Sequence, residues 1–494
     1  MIRRWLDSPV FYFGVAAILI AIGVGTQVVV ELPKRPEGDP SQIRSLAERD
    51  DLNVVFIVVD TLRADRLGAY GYDRNTSPTL DAMARTGIMF QNVESQSSWT
   101  KQSMASLWTG MYPRTTRVDH FSDSIPDEAV MPAEILKDAG FVTGGIYRNG
   151  WVMPNFGFGQ GFDLYIRPHP RMREKQIQAD SLLARRVVGN DLDATESAIE
   201  FMRINHSNRF FLYVHLMDVH QYLYDDASSL FGTGYSDIYD NSIHWVDRNF
   251  KALLVEMEEL GIADRTVVVV ASDHGEAFLE HGVEGHAKNL FREVQEVPLI
   301  LYLPFFLEPG LEIQTTVANI DIWPTLLDLL GLPPLPKAEG RSLLPLIEAA
   351  AGGDESDAGD LATRPVFSQL NKVWGQPESV EQTELVAVLD GPYRFVRLEP
   401  QGIMGLFNSE EDPREVKNLG STEPEKADEL TALVKQFLEE SEPAWDSDVE
   451  VEISEMRLGQ LRALGYSIPQ MRNPKRKGED DEEESGGEAD PETP

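Results

Sequence analysis

The chain has 494 residues, of which 42% are hydrophobic, so it is long enough to bury the core of one large domain and a smaller second unit. It contains no Cys, which excludes disulfide bonds, thiolate metal ligands and a thiol nucleophile. The formal net charge of -37 argues against nucleic-acid binding, because neutralising a phosphate backbone requires clustered Lys and Arg.

The first thirty residues predict a membrane anchor. A head of residues 1 to 8 carries Arg3 and Arg4, and the run from residue 10 to 30 has no charged side chain. Roughly 20 apolar residues span a bilayer, whereas the apolar core of a cleavable signal peptide usually has about 7 to 15. We predict that residues 9 to 30 form an uncleaved anchor in the inner membrane. The alternative is that this segment is cleaved off. The two Arg place the N-terminus in the cytoplasm and the rest of the chain outside it, in the periplasm or the extracellular space.

After a Pro-rich linker at residues 31 to 50, a large domain is predicted at residues 51 to 350. Continuous apolar, β-branched runs predict strands that are buried on both faces of a sheet, at residues 53–59, 210–216, 266–271 and 297–303. Amphipathic stretches such as 79–87 and 191–204 lie between them. This alternation predicts an α/β fold whose mostly parallel central sheet has helices on both faces. Ligands of such sheets bind at the carboxyl ends of the strands.

A smaller unit is predicted to follow an acidic linker at residues 351 to 362. Short strand-like segments and one helical stretch, bounded by turns, indicate a small antiparallel sheet with a helix, and they lie at residues 384–389, 393–398, 404–407 and 424–438. The C-terminal subdomain is assigned to residues 363 to 470. The remaining tail, 471 to 494, is rich in Glu and Asp and is predicted to be disordered.

Several polar residues follow the predicted strands. Asp60 ends the first strand, where an Asp alone is typical of a helix N-cap. Asp273 and His274 follow the most β-branched run, and an adjacent carboxylate and imidazole suit a divalent metal, although most isolated Asp-His pairs are a cap and a surface histidine. Clustering favours the metal hypothesis, because two such segments hold five of the nine histidines, namely His215, His220, His274, His281 and His286.

A third segment, residues 99 to 110, predicts a polar loop entering a helix, and its plainest interpretation is an N-cap at Thr100 or Ser103. In combination these segments resemble the sulfatase-like branch of the alkaline phosphatase superfamily. The matching pieces, in chain order, are residues 60–65 (DTLRAD), 105–110 (ASLWTG), 272–276 (SDHGE), 282–300, 321–325 (DIWPT) and 411–419. The resemblance covers roughly residues 52 to 466 in consistent order.

The resemblance implies the alkaline phosphatase and sulfatase-like fold with a small C-terminal antiparallel sheet. It also implies metal positions at Asp60, Thr100, Asp273 and His274, where Thr100 is at the same time in the nucleophile position. The implied cofactor is a divalent ion. A His ligand favours Zn or Mn, whereas an oxygen-rich site favours Ca or Mg.

The sequence departs from true sulfatases at the nucleophile. They oxidise a Cys or Ser to formylglycine and place Pro and Arg after it, whereas this chain has Thr100, Gln102 and Met104. Thr cannot yield that aldehyde because its β-carbon carries a methyl group. Related phosphodiesterases, phosphomutases and phosphotransferases of the superfamily use Thr directly, which requires a metal or a base to activate the hydroxyl.

Other residues carry expected roles that are implied by the resemblance. Arg148 and Gly150 stand where sulfatases have Lys and His, and Arg148 is expected to hold an anionic ester bidentately. Asp218 with His220 resembles an Asp-x-His pair. The further candidates are His286 and Lys288, a pair that resembles substrate-contacting residues, and Lys101, which follows the nucleophile.

Two questions about these candidates stay open. Asp218, His220 and His286 either complete a second metal site or serve hydrogen-bonding and leaving-group roles. Lys101 and Lys288 are alternatively solvated.

The predicted function is that of a metal-dependent hydrolase or transferase acting on phosphate or sulfate esters through Thr100. Its expected partner is an anionic ester of a lipid or a glycan. The alternative is a catalytically inactive, membrane-tethered binding protein that retains the fold. Retention of Asp60, Thr100, Asp273 and His274 counts against that alternative, because a binding scaffold has no evident need of this constellation.

Overall fold

The computed structural model describes most of residues 32 to 461. The described residues are 32, 34–168, 177–179, 189–353, 355–371, 383–399, 402–446, 449–454, 458, 459 and 461. The predicted anchor at residues 9 to 30 and the predicted acidic tail lie outside them. Within the described ranges, no helix is both long and apolar enough to cross a bilayer.

An eight-stranded sheet forms the centre of the larger unit. Its strands in chain order are β1 Asn53–Val59, β2 Ile88–Phe90, β3 Val142–Ile146, β4 Leu164–Ile166, β5 Phe210–Leu216, β6 Thr266–Ala271, β7 Leu299–Tyr302 and β8 Leu311–Ile313. The spatial order is β8-β2-β7-β6-β1-β5-β3-β4. All pairs are parallel except those that β7 makes with β6 and β2. The predicted mostly parallel sheet is confirmed.

Helices cover both faces of this sheet, as the sequence predicts. In chain order they are α1 Pro78–Thr86, α2 Thr100–Thr109, α3 Pro113–Thr116, α4 Pro132–Asp138, α5 Asp191–Asn205, α6 Tyr235–Glu259, α7 Arg292–Gln295, α8 Ile322–Leu329 and α9 Leu344–Ala350. Alternate side chains of β1 enter two separate cores. Phe56 packs with α2, α4 and α8 on one face, whereas Ile57 packs with α1, α5 and α6 on the other.

Short strands of two or three residues lie in the segments that connect these elements. They are Val93–Glu94, Asp123–Ser124, Ile177–Ala179, Leu223–Asp225, Ala277–Phe278, Glu284–Gly285, Val317–Ala318 and Val449–Glu450. One pair of them, Ala277–Phe278 with Glu284–Gly285, forms an antiparallel hairpin. This hairpin follows β6 and lies beside the candidate site.

The smaller C-terminal unit is an antiparallel sheet with one helix, as predicted. Its elements are β9 Val366–Asn371, β10 Glu384–Asp390, β11 Tyr393–Glu399, β12 Gly402–Asn408 and α10 Pro424–Glu440. The sheet joins the larger unit through buried polar contacts. Arg394 donates to both carboxylate oxygens of Glu94, at 2.7 and 2.9 Å, and also bonds Glu415.

Three adjacent strands position the functional residues. Because β6, β1 and β5 are neighbours and parallel, their carboxyl ends meet at one edge of the sheet. Asp60 follows β1, His215 lies near the end of β5, and Asp273 and His274 follow β6. Thr100 begins α2, which packs on the same edge, so the fold brings distant segments of the sequence together.

Candidate active site

Asp60 and Asp273 are fully buried carboxylates that are each anchored through one oxygen. Asp60 Oδ2 accepts a hydrogen bond from Asn149 Nδ2 at 2.6 Å, and Asp273 Oδ1 accepts from the backbone N–H groups of Thr61 and His274 at 3.2 and 3.0 Å. The other oxygens, Asp60 Oδ1 and Asp273 Oδ2, are buried and have no hydrogen-bond donor among the residues that the structure describes. A buried, unpartnered carboxylate oxygen is costly unless a cation compensates it.

The imidazole of His274 faces the hydroxyl of Thr100. His274 Nδ1 lies 3.0 Å from the carbonyl of Gly275, which can only accept, so Nδ1 carries the proton. Nε2 is then an acceptor, 3.1 Å from Thr100 Oγ1 and 3.4 Å from Asp273 Oδ2. Burial, together with the nearby His286, lowers the pKa of His274 to about 3, which keeps the ring neutral.

These groups fit a divalent metal ion. Ligand atoms of Asp60, Asp273 and His274 all lie within 4.8 Å of one another. Burial alone would raise the pKa of Asp60, but the imidazoles of His220 and His215 outweigh it and lower the pKa below the usual range of Asp. Burial and the Asp60 carboxylate raise the pKa of Asp273 well above that range. Two adjacent buried carboxylates repel each other when both are ionised, and a bound cation would compensate this repulsion.

His286 and His220 border the same group of side chains. The ring centroid of His286 lies 4.6 Å from that of His274 and 4.9 Å from that of His220. His286 Nδ1 is 3.3 Å from Glu276 Oε1, across the hairpin. Burial lowers the pKa of His286 to about 4 and raises the pKa of Glu276 to about 7. The structure thus places both predicted histidines at the site.

Arg148 and Asp218 belong to a separate buried network. Arg148 Nη1 pairs with Asp191 at 2.6 Å and also with Asp218, while Nη2 donates to Gln221 Oε1 at 2.9 Å. Asp218 Oδ2 accepts from the backbone N–H of Asp191 and from Trp245 Nε1, at 2.9 and 2.8 Å. Both oxygens of Asp218 and most donors of Arg148 are therefore already used inside the protein.

A second metal site was one of two alternatives for Asp218, His220 and His286. Among the described residues, Asp218, His220 and His286 do not bring three ligand atoms within 4.8 Å of one another. Glu276, rather than Asp218, is the carboxylate that meets His286. Asp-x-His spacing suggested a shared site, but Asp218 turns towards Arg148.

The two candidate lysines have different surroundings. Lys101 is buried, and its Nζ donates to the carbonyls of Phe121 and His120 at 2.9 and 3.3 Å and lies 3.9 Å from the ring centroid of Phe156. Burial lowers its pKa to about 7. Lys288 is exposed and donates to the carbonyl of Glu284 at 2.6 Å. The alternative of a solvated side chain therefore describes Lys288 and not Lys101.

Three buried residues at the site have no assigned role in the sequence analysis. Asn149 holds Asp60, His215 Nε2 lies 3.3 Å from Asp60 Oδ2, and Glu276 bonds His286. His215 is one of the clustered histidines, and Glu276 lies in the SDHGE motif, so the sequence contained patterns that could have identified both residues. For Asn149, the only such pattern is its position directly after Arg148.

Comparison with protein families decides the assignment. The sulfatase family model matches residues 52 to 332, more than half of the chain. The chain belongs to the sulfatase family. A second model, that of the C-terminal region of N-sulphoglucosamine sulphohydrolase, matches residues 280 to 443 of this sulfatase-family chain. Membership makes the chain a hydrolase of sulfuric or phosphoric esters. The enzymes of this family depend on a metal, and Asp60, Asp273 and His274 form a group that could hold a metal ion.

Individual relatives agree with the family. Arylsulfatase K of Xenopus laevis is 22% identical over 73% of this chain and 78% of its own length. The phosphonate monoester hydrolase of Agrobacterium radiobacter has a similar fold, with a TM-score of 0.61 at 17% identity over 78% of this chain and 95% of that one. A protein solved with its substrate D-glucosamine-2-N,6-O-disulfate also has a TM-score of 0.61, at 17% identity over 80% of this chain and 100% of that one.

Proposed function

We propose that this sulfatase-family enzyme cleaves phosphate or sulfate monoesters in a metal-dependent reaction with Thr100 as the nucleophile. The observation that carries the proposal is the position of Thr100 Oγ1, 3.1 Å from the neutral Nε2 of His274. The same buried pocket holds the two carboxylate oxygens without donors, on Asp60 and Asp273. A hydroxyl beside this set of ligands is placed for activation.

The chain's own residues prepare the nucleophile. A Thr hydroxyl is a weak nucleophile until coordination or a base lowers its pKa. Asp60, Asp273 and His274 would hold the ion, and the imidazole among them favours Zn or Mn over Ca or Mg. Such an ion, when bound, lowers the pKa of a coordinated hydroxyl and offsets charge on the transferred oxyanion.

The reaction then has two balanced steps. Thr100 Oγ forms a bond to the phosphorus or sulfur atom while the bond from that atom to the ester oxygen breaks, and the proton that the Thr100 hydroxyl loses leaves with the alcohol. Water next attacks the same atom, which releases phosphate or sulfate and restores the Thr100 hydroxyl. Transfer to a second alcohol instead of water would give the transferase reaction. Because Thr cannot form the aldehyde hydrate of true sulfatases, phosphate-type esters are favoured.

The structure supports different roles for the surrounding polar residues. His220 and His286, on the outer side of the pocket, are assigned to the oxyanion and the leaving oxygen. Arg148 is assigned a positioning role, because its guanidinium is already neutralised by Asp191 and Asp218. Lys101 is buried and follows the nucleophile in sequence, and Lys288 lies at the surface.

The test is an activity panel on the full chain in detergent. 4-Nitrophenyl sulfate, phosphate and a phosphodiester are each assayed with Zn, Mn, Ca or Mg. We expect metal-dependent turnover of a phosphate ester that Thr100→Ala lowers by at least about a thousandfold, while Thr100→Ser retains part of it. Undiminished turnover in Thr100→Ala would refute the assignment, and rapid sulfate turnover would show that phosphate esters are not favoured.

The N-terminal segment completes the proposal. We infer that residues 9 to 30 anchor the enzyme in the cell membrane, with the catalytic unit outside the cytoplasm. The support is the uncharged apolar run behind Arg3 and Arg4.

A further inference from the structure

The hairpin of residues 277 to 285 carries Glu276 and His286 at its base, where these two side chains meet at 3.3 Å. Its strands have two residues each, and its turn spans residues 279 to 283. Two short strands alone form at best a marginally stable hairpin in water, so the contacts of the turn decide how firmly the hairpin is held. Those contacts therefore also decide how firmly His286 is held at the active site.

His281 lies in this turn and contacts two other parts of the chain. Its Nδ1 is 2.9 Å from Oε1 of Glu293 in α7, and its Nε2 is 3.0 Å from the backbone carbonyl of Glu415, which follows β12 in the C-terminal unit. The imidazole also stacks on the ring of Phe291, with centroids 3.9 Å apart and an angle of 13° between the planes. His281 therefore joins the hairpin to the C-terminal unit.

The partners of His281 require both ring nitrogens to donate. A backbone carbonyl can only accept a hydrogen bond, and so can an ionised carboxylate such as that of Glu293. With a proton on each nitrogen the ring is positively charged, and its hydrogen bonds are stronger than those of a neutral ring. Burial lowers the pKa of His281, but the hydrogen bonds to Glu293 and to the Glu415 carbonyl, with the charges of both carboxylates, outweigh burial and raise the pKa.

A metal ion is the other occupant that these groups suggest, because ligand atoms of His281, Glu293 and Glu415 lie within 4.8 Å of one another. Both carboxylate oxygens of Glu415 are already used, however. One accepts from Arg394 Nε at 2.5 Å and the other from the backbone N–H of Arg292 at 3.0 Å. Because Arg394 brings positive charge to Glu415 and His281 brings it to Glu293, we interpret the cluster as an ionic contact.

The other side of the turn is held by the catalytic unit. Glu280, which precedes His281, accepts a hydrogen bond from Arg63 Nη1 at 2.6 Å, and the same nitrogen donates to the carbonyl of Glu276 at 2.8 Å. Arg63 belongs to the DTLRAD motif, which begins with the candidate metal ligand Asp60. The hairpin therefore has one attachment in each unit, and loss of either should leave it folded but less firmly held.

We propose that His281 is a positioning residue of the reaction: by holding the hairpin against the C-terminal unit, it keeps His286 at the oxygen of the leaving alcohol. The inference rests on the proposed function, because it takes His286 to act on that oxygen. It assigns the C-terminal unit a part in the reaction through the carbonyl of Glu415.

The experiment compares two esters whose alcohols differ in their need for a hydrogen-bond donor. Phenyl phosphate and 4-nitrophenyl phosphate, or the matching sulfates, are hydrolysed by the full chain with metal, and kcat/KM reports the step in which the alcohol leaves. Phenol is the weaker acid, so its departure depends more on a well-placed donor. We expect His281→Gln to lower kcat/KM about tenfold for the phenyl ester and less than about threefold for the 4-nitrophenyl ester.

A double variant shows whether the effect passes through the base of the hairpin. In a Glu276→Gln background, which already disturbs His286, adding His281→Gln should have little further selective effect, because the residues act along one route. Glu293→Gln keeps an acceptor but removes its charge, so it should give the same selectivity at a smaller size. It replaces His281→Gln in the comparison if thermal melting shows that the latter does not fold.

The matched control is His206→Gln, which changes an exposed histidine just after α5 and should leave the hydrolysis of both esters unaltered. Equal slowing of the two esters in the folded variant, or no slowing of either, would overturn the inference. An undiminished selective effect in the Glu276→Gln background would overturn it as well. The proposed function fails separately, if Thr100→Ala retains turnover or if His286→Gln slows the two esters equally.

Discussion

Asp60 and Asp273 each use one carboxylate oxygen for anchoring, and in the described part of the chain the other oxygen of each meets no donor. Hydrogen bonds to the anchored oxygen fix the direction of the second one, which is how residues around a metal ligand tune its affinity for the ion. Asn149 does this for Asp60 at 2.6 Å. The sequence identified the two carboxylates through their motifs, but the anchoring amide came from a segment whose role only the folded chain reveals.

The first prediction concerns Asn149. Asn149→Ala removes the donor to Asp60, so we expect metal affinity to fall about 10- to 100-fold, as is usual when such a supporting residue is lost. Affinity is measured by competition with a chelator, and bound metal is measured by elemental analysis. The control is Asn208→Ala, an exposed position that should bind metal as the wild type does. Wild-type affinity in Asn149→Ala would contradict the supporting role.

A second prediction separates two roles for Arg148. If it neutralises Asp191 and Asp218, Arg148→Met leaves buried charges uncompensated and should lower the free energy of unfolding by about 3 to 5 kcal/mol. Adding Asp218→Asn should recover part of the loss. Chemical denaturation of the single and double variants measures this. A variant of normal stability with a raised KM would instead indicate that Arg148 contacts the ester.

Among the elements, those with long apolar runs were predictable from sequence. The strands β1, β5 and β6 coincide with their predicted ranges, because a continuous β-branched run fits a strand buried on both faces. The direction of β7 was not readable, since burial on both faces gives the same pattern in either direction. The hairpin that joins Glu276 to His286 has two-residue strands, which are too short for any periodic signal.

A third prediction concerns the N-terminus of α1. Asp247 of α6 accepts hydrogen bonds from the backbone N–H groups of Thr79 and Leu80, at 2.9 Å to each. Burial raises the pKa of Asp247 to about 7, above its value in the unfolded chain. The folded state therefore binds the proton more tightly, so this group favours folding below about pH 4 and loses that contribution as pH rises to about 7.

Asp247→Asn removes this dependence because an amide does not titrate. We expect the melting temperature of the variant to rise relative to that of the wild type between pH 5 and pH 8. The difference in unfolding free energy should change by an amount on the order of 2 kcal/mol. If the melting temperatures of the variant and the wild type instead change in parallel between pH 5 and pH 8, Asp247 stays ionised in the folded state. Glu259→Gln, on an exposed position of α6, serves as the control.

On the scale of the whole molecule, the two units share a buried ionic contact. Arg394 of the C-terminal sheet lies between Glu94 and Glu415, and Ser368 Oγ donates to the carbonyl of Ser95 at 2.6 Å. Glu94 and Ser95 lie a few residues before Thr100 in the chain, so the smaller unit supports the segment that leads to the nucleophile. The sequence predicted both units, but it gave no signal for this contact between residues 300 positions apart.

The fourth prediction concerns the proposed N-terminal anchor. Because residues 10 to 30 carry no charge, the full chain should remain in the membrane fraction after carbonate extraction and require detergent for release. Replacing three residues of the run by Asp should release it, since each costs about 2.5 to 3.5 kcal/mol in a bilayer. Release of the unaltered chain by carbonate would contradict a spanning helix.

Rapid quenching tests whether the reaction passes through a covalent step at Thr100. Enzyme with metal is mixed with the 4-nitrophenyl ester that it hydrolyses fastest, quenched in acid within the first turnover, digested and analysed by mass spectrometry. We predict one phosphoryl or sulfuryl group on the peptide that contains Thr100, absent after chelation of the metal. Full turnover with an unmodified Thr100 peptide at every quench time, or with the group on another residue, would exclude Thr100 as the nucleophile.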